Sequence, residues 1–376
     1  MEDKLFPYRC TKRTTKETPP PPPKWSDLHT GLLEMILRHL AFSDILRFKA
    51  VCSSWNFAAK SYTSAPYYIP YPQFPWLMLP SRPQDVANST LRFFSLPEKK
   101  MYTKKLFQHF ADAWCVGSSH GWLVVFDNMS IPHLLNPITG EIFRLPSMSS
   151  MAQSFDKRSV LKAILSSHPL GQNNKKVSIV VMYAATLPNN VSLAFYERGQ
   201  EGKWTELDGQ HRNYCDVMFH NAQLYAITRN PGTLEVWDFR NSIPIKTIHI
   251  RPAVNKINSA PKRGYLVESL GEILRVEEFR DIYTLNSTGN KWGWEKVECL
   301  GDRVLFLGGN QSMSFSARDL PGCQENSIYF TPSHPQNNGY RTALGVYSLK
   351  GKVVESLYVI DHSNRYQPPF FIIPHP

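Results

Sequence analysis

The sequence predicts a mainly β chain in which a small unit of three helices precedes a large, six-bladed β-propeller, and three observations carry that prediction. Apolar residues keep helical spacing from Trp25 to about Tyr62. Beyond about residue 68, short runs of β-branched and aromatic residues alternate with Gly, Pro, Asn and Asp turns. Those runs echo one another at a spacing of about 40 residues, the length of a propeller blade.

The chain has 376 residues, enough to bury a sizeable core. Hydrophobic residues make up 42% and charged residues 19%, an ordinary globular balance. The formal net charge of +11 is spread in short pairs such as Lys99-Lys100, Lys104-Lys105, Lys157-Arg158 and Lys175-Lys176. A phosphate-tracking surface needs a contiguous stripe, so nucleic acid is not an expected partner. Six cysteines (Cys10, Cys52, Cys115, Cys215, Cys299 and Cys323) stand far apart with no CxxC pair, which predicts reduced thiols and residence in the nucleus, the cytoplasm or both. Neither a signal-peptide apolar stretch nor a window of about 20 apolar residues occurs, so no membrane association is expected.

Residues 1–24 end in Pro19 to Pro23 and read as a disordered, proline-rich arm. Residues 25–62 form the helical unit. Leu32, Leu33, Ile36, Leu37 and Leu40 fall on one broad face of a first helix. Ser43 or Asp44 is placed to cap a second helix carrying Ile45, Leu46, Phe48, Val51 and Cys52. Ser53 and Ser54 are candidate caps for a third, with Trp55, Ala58 and Ala59. Three helices in so few residues make too small a core to be secure alone, so their remaining apolar faces await a cover or a partner.

Residues 63–97 are rich in proline and read as a linker or as the first propeller segment, with the propeller proper over 98–376. Predicted strands span 122–126, 177–184, 191–197, 216–220, 224–228, 234–239, 265–269, 273–279, 304–307, 328–331 and 344–349. Leu224 to Thr228 followed by Gly232 to Val236 echoes Tyr265 to Ser269 followed by Gly271 to Val276. Dividing the β region by that period gives six blades. Isolated four-stranded sheets leave edges and one-sided cores that stacking around an axis covers, which favours radial closure.

The segment Trp25-Ser26-Asp27-Leu28, Leu32-Leu33-Glu34, Ile36-Leu37, Leu40, Asp44 to Phe48, Val51-Cys52 and Trp55 resembles an F-box. That resemblance implies docking on the adaptor subunit of an SCF ubiquitin ligase and, through it, on a cullin. His29 departs from the family by standing where a proline usually opens the first helix, and Gly31 stands where glutamate is common. A glycine inside a helix costs about 1 kcal/mol, less near its end, so a weaker helix start is expected. Residues Gly301 to Gly308, Asn310-Gln311-Ser312 and Leu320 to Phe330 are similar to plant F-box proteins whose C-terminal domain is labelled domain of unknown function number two hundred ninety-five, a kelch-like propeller. Gly121 to Val124, Leu135 to Gly140 and Tyr265 to Ser269 support the same resemblance.

The resemblance implies a non-catalytic substrate receptor that captures a protein for ubiquitination, with no cofactor. Its adaptor-binding residues are Leu28, Leu32, Leu33, Ile36, Leu37, Leu40, Leu46, Val51, Cys52 and Trp55, shared between the small core and the adaptor groove, with Trp55 as the aromatic anchor. The rival readings are a ligase-independent scaffold and a small-ligand-binding propeller. Gly117-Ser118-Ser119-His120-Gly121 matches the spacing of a nucleophile elbow, but a strand-like run follows where a helix is needed, so a turn between strands is predicted. The histidines show no paired ligand spacing, and no metal is expected.

Overall fold

A computed structural model describes residues 24–65, 74–81, 83–107, 110, 113–151, 155–170, 176–184, 190–199, 202–209, 213–229, 232–241, 243–250, 264–277, 281–288, 291–331, 341–360 and 369–374. The predicted disordered arm, apart from Lys24, lies outside these residues. The chain divides into two compact units, Met1–Tyr68 and Ile69–Pro376.

In the first unit a 3-10 turn (Trp25–Asp27) leads into α1 (Thr30–Leu37), α2 (Phe42–Lys49) and α3 (Ser53–Thr63). Leu33, Leu37, Ile45, Phe48, Ala58, Ala59 and Tyr62 form its core. The small alanines let α3 approach the other two helices closely. Trp55 stacks on Phe48 with ring centroids 4.3 Å apart, and its Nε1 donates to the Trp25 carbonyl at 3.0 Å. Ser54 Oγ donates to the Ser26 carbonyl at 2.9 Å, so α3 pins the N-terminal turn at two points.

The helix starts differ from expectation. His29 is the cap of α1: its Nδ1 accepts from the Gly31 N–H at 3.2 Å, satisfying a donor that a helix start otherwise leaves open. The residue that departs from the F-box pattern therefore supplies a different device for the same end. Ser43 and Asp44 do not cap α2, which begins one residue earlier with Ala41 in the cap position and no side-chain cap. Asp44 lies in the first turn, suited to the helix dipole, and pairs with Arg47 at 2.6 Å. Ser53 and Ser54 lie inside α3, whose cap position is Cys52.

The second unit is six sheets. Blade 1 holds β1 (Trp76–Leu79), β2 (Thr90–Ser95) and β3 (Lys100–Lys105), and the last strand of the chain, β25 (Phe370–Ile372), pairs with β1 and closes the ring. Blade 2 holds β4 (Trp114–Ser119), β5 (Trp122–Phe126), β6 (Pro132–Leu135) and β7 (Ile142–Arg144). Blade 3 holds β8 (Val160–Leu165), β9 (Ser178–Ala184), β10 (Val191–Glu197) and β11 (Thr205–Glu206). Blade 4 holds β12 (Tyr214–His220), β13 (Gln223–Thr228), β14 (Leu234–Asp238) and β15 (Ile245–Ile250). Blade 5 holds β16 (Gly264–Ser269), β17 (Glu272–Glu277), β18 (Asp281–Thr288) and β19 (Lys291–Val297).

Blade 6 has five strands: β20 (Arg303–Leu307), β21 (Met313–Ser316), β22 (Ser327–Phe330), β23 (Arg341–Ser348) and β24 (Val353–Ile360). Its β20 runs parallel to β22, the one parallel strand pair of the described sheets. The segment of residues 63–97 contributes β1 and β2 to blade 1, so the propeller begins before residue 98.

Two sequence expectations shift. Leu224–Thr228 is the second strand of its blade and Tyr265–Ser269 the first of the next, so the 40-residue echo is out of phase by a strand. The first strands of blades 2 to 5 start at Trp114, Val160, Tyr214 and Gly264, a repeat of roughly fifty residues. Gly117, Ser118 and Ser119 belong to a buried strand, and only His120 and Gly121, both at positive φ, make the turn. Gly117 is required by packing: a Cβ there would meet the Ala163 carbonyl oxygen of blade 3 at 2.1 Å.

A polar bond crosses every junction of the ring. Ser118 Oγ donates to the Phe371 carbonyl at 2.8 Å, and Leu165 N–H donates to Ser119 Oγ at 3.2 Å. Lys162 donates to Asp216, which also accepts from Leu266 N–H at 2.7 Å. Ser269 and Ser314 share a hydrogen bond of 2.8 Å, and Asn310 Nδ2 donates to the Phe371 carbonyl at 2.5 Å. Blades otherwise held by apolar packing are thereby fixed in register with their neighbours.

Candidate docking surface

The helical unit cannot bury all its large side chains. Trp25 is 76% exposed and Phe57 72%, and Leu32, Met35, Ile36 and Val51 are also exposed. On α1 the residues 32, 35 and 36 stand at i, i+3 and i+4, which places them on one side of the helix. Leu33 and Leu37, each 1% exposed, point the other way into the core. The single broad stripe predicted for this helix is therefore two faces.

The ten residues named from sequence divide accordingly. Leu33 and Leu37 are core, and Leu28, Leu40 and Trp55 pack partly buried against it. Leu46 and Cys52 are half-buried, while Leu32, Ile36 and Val51 are open to solvent. Trp25, Met35 and Phe57 fall outside those ten, although each is more exposed than Leu32, Ile36 or Val51. Met35 was signalled by its spacing from Leu32, and Phe57 by falling between Trp55 and Ala58, which face inward.

The Cys52 thiol is pulled below its ordinary range, first by a hydrogen bond with Ser54 and then by the Trp55 N–H at the start of α3. Burial pulls Lys49 down, and Lys60 adds to the effect.

Ser119, at the nucleophile position of the Gly117–Gly121 motif, is 3% exposed and accepts from a backbone amide, a structural role. Among the described residues no group of three or more His, Cys, Asp or Glu side chains is gathered to hold a metal. Glu235 on β14 is fully buried and bonded to Tyr214, Lys246 and His249. Burial alone would raise its carboxyl, but the bonds from Lys246, Tyr214 and His249 outweigh that and hold it low. Burial, reinforced by Glu235 and then Asp208, pushes the Tyr214 phenol up. No described helix is long and apolar enough to cross a membrane.

A three-helix unit with an uncovered apolar face, followed by a six-bladed propeller, defines an F-box–propeller protein. The F-box domain model matches residues 25–64, and the KIB1-4 beta-propeller model matches residues 93–348. The chain belongs to the family of F-box proteins with a KIB1-4 beta-propeller. Among its relatives in Arabidopsis thaliana, F-box protein At1g10110 is 26% identical over 82% of this chain and 84% of its own length. F-box protein At2g05970 is likewise 26% identical, over 82% of this chain and 84% of its own length.

Proposed function

We propose that the chain is the substrate-recognition subunit of an SCF-type ubiquitin ligase, a non-catalytic receptor. The F-box docks on the ligase adaptor, which links it to a cullin, and the propeller holds a protein for ubiquitination. The observation that carries this reading is the exposed apolar face of the helical unit, with Leu32, Met35 and Ile36 on α1 and Val51 and Phe57 beyond it. Large apolar side chains left to water on so small a unit suit a surface that a second protein covers. Trp55 acts from behind it: stacked on Phe48 and bonded to Trp25, it fixes the turn that carries the exposed Trp25 ring.

Co-purification with the ligase adaptor tests the proposal. Leu32→Asp/Ile36→Asp places two charges on the open face without touching the core, and it is expected to abolish adaptor recovery while the propeller unfolds at the same temperature as in wild type. Leu33→Asp is the poorer probe, since it buries a charge in the core and unfolds the unit. Equal adaptor recovery by wild type and the double variant would overturn the assignment.

A further inference from the structure

The helical unit carries an unmatched pair of charges beside its open apolar face. Lys24, Asp27, Glu34 and Arg38 accompany the N-terminal turn and α1, and they cancel in number. On α2 and α3 the charged side chains are Asp44, Arg47, Lys49 and Lys60. Asp44 pairs with Arg47 at 2.6 Å, which leaves two ammoniums on these helices and no carboxylate to match them. Among the described residues no hydrogen bond or ion pair reaches the side chain of Lys49 or Lys60.

Packing brings the two lysines into range of each other. Lys49 ends α2 directly after Phe48, Lys60 follows Ala59 on α3, and both of those neighbours lie in the unit's one core. Lys49 is half-buried and Lys60 exposed. Burial pulls the Lys49 ammonium down, and the charge that acts on it, that of Lys60, has the same sign. A lysine on an ordinary solvated face shows neither feature. An ammonium so placed is destabilising in the free chain, and an anion brought within hydrogen-bond reach relieves it.

Both lysines border the apolar docking face. Lys60 stands three residues after Phe57, on the same side of α3, and Phe57 is 72% exposed. Val51, 55% exposed, lies two residues after Lys49, between α2 and α3. A protein that covers Phe57 and Val51 therefore closes over the two ammoniums and strips water from them. A wholly apolar cover would be penalised for burying unmatched charge, whereas a carboxylate within it offsets that penalty.

We propose that Lys49 and Lys60 together take a carboxylate side chain, aspartate or glutamate, of the protein that docks on the helical unit. Two ammoniums bring only hydrogen-bond donors, and the two oxygens of one carboxylate accept from both at once. The docking protein thus presents an acidic spot at the edge of its apolar groove, and that spot fixes which way round it sits. That this protein is the ligase adaptor rests on the substrate-receptor reading.

Titration calorimetry of the full chain with purified ligase adaptor tests this. Lys49→Met/Lys60→Met keeps the aliphatic stems and removes both charges. It is expected to weaken adaptor binding about tenfold at low salt, and to flatten the loss of affinity that wild type shows as NaCl rises from about 0.05 to about 0.5 M. The variant loses a half-buried charge and a repulsion, so hydrogen exchange at the Leu33 and Leu37 amides of the free chain should be no faster than in wild type. Weaker binding then cannot come from misfolding. Changing the adaptor's aspartates and glutamates singly to their amides identifies the partner, as the one change with no further effect in the methionine variant.

Unchanged or tighter binding by the methionine variant overturns the proposal, and tighter binding is the result that a wholly apolar cover would give. The ligase reading is judged separately in the same titrations. Binding that Leu32→Asp/Ile36→Asp abolishes but the methionine variant leaves intact removes only the carboxylate contact. No binding by wild type removes the ligase assignment, and this contact with it.

Discussion

Lys162 on β8 donates to Asp216 on β12, and the two side chains are 3% and 2% exposed, so a charged pair spans the junction of blades 3 and 4 out of reach of water. The same carboxylate accepts the Leu266 N–H of blade 5 at 2.7 Å. One aspartate thus fixes three inner strands in register. Buried pairs add little net stability over an apolar replacement, but removing one partner strands the other.

The two halves of the pair are expected to be unequal. Lys162→Met leaves Asp216 with its backbone donor, whereas Asp216→Leu leaves both a buried ammonium and the Leu266 N–H without a partner. Urea unfolding of the propeller should show a loss of about 3–5 kcal/mol for Asp216→Leu and a smaller one for Lys162→Met. Equal losses would mean that Leu266 contributes nothing to the junction.

At the start of α1 the residue that departs from the F-box pattern acts as a cap. His29→Ala removes the acceptor for Gly31 N–H and should destabilise the helix start by about 0.5–2 kcal/mol. Gly31→Ala should act oppositely by a few tenths of a kcal/mol, because a Cβ there meets His29 Nδ1 at 3.4 Å, an ordinary contact. Hydrogen exchange at the Leu33 and Leu37 amides reports both changes without needing the adaptor.

The thiols should separate by rate. Cys52 is pulled low by Ser54 and the Trp55 N–H and lies half-open, whereas burial pushes Cys115 and Cys323 up to about 12. Iodoacetamide at neutral pH is expected to modify Cys52 at least about tenfold faster than either, by peptide mapping. Adaptor binding should protect Cys52, and comparable rates at the three sites would contradict the thiol's environment described above.

The buried second and third strands of the blades were largely legible in the sequence, whereas the inner strands β1, β4 and β8 and the outermost strands were not, for physical reasons. Trp122–Phe126 is buried at all five positions, and such continuous apolar runs announce themselves. The outer strands β3 (Lys100–Lys105) and β19 (Lys291–Val297) carry mixed, largely exposed side chains and have no period-2 contrast to read. Strand β4 was misread because Gly and Ser favour turns, while here small residues answer a close approach of blade 3.

The docking face was legible in part. Spacing placed Leu32, Leu33, Ile36 and Leu37 on one helix, but adjacent leucines do not say which side turns inward. Packing of α1 against α2 and α3 decides it, by burying Leu33 and Leu37.

Blade 4 should set an acid limit on stability. Glu235 is fully buried and held below the ordinary carboxylate range in the fold, so it contributes stability above the unfolded value of about 4.3. That contribution is lost as pH falls through the lower folded value, because the unfolded chain takes up the proton first. Tyr214 has the opposite sign: its raised phenol contributes stability that is present below about 10 and lost as pH climbs above it, where the unfolded chain ionises first. Glu235→Gln should therefore flatten the acid limb of a melting-temperature profile, and Tyr214→Phe the alkaline limb. At neutral pH Glu235→Gln is also expected to cost about 1–3 kcal/mol, since Lys246 loses its ionic partner inside the blade. An acid limb that keeps its slope in Glu235→Gln would show that the cluster on β14 does not govern the profile.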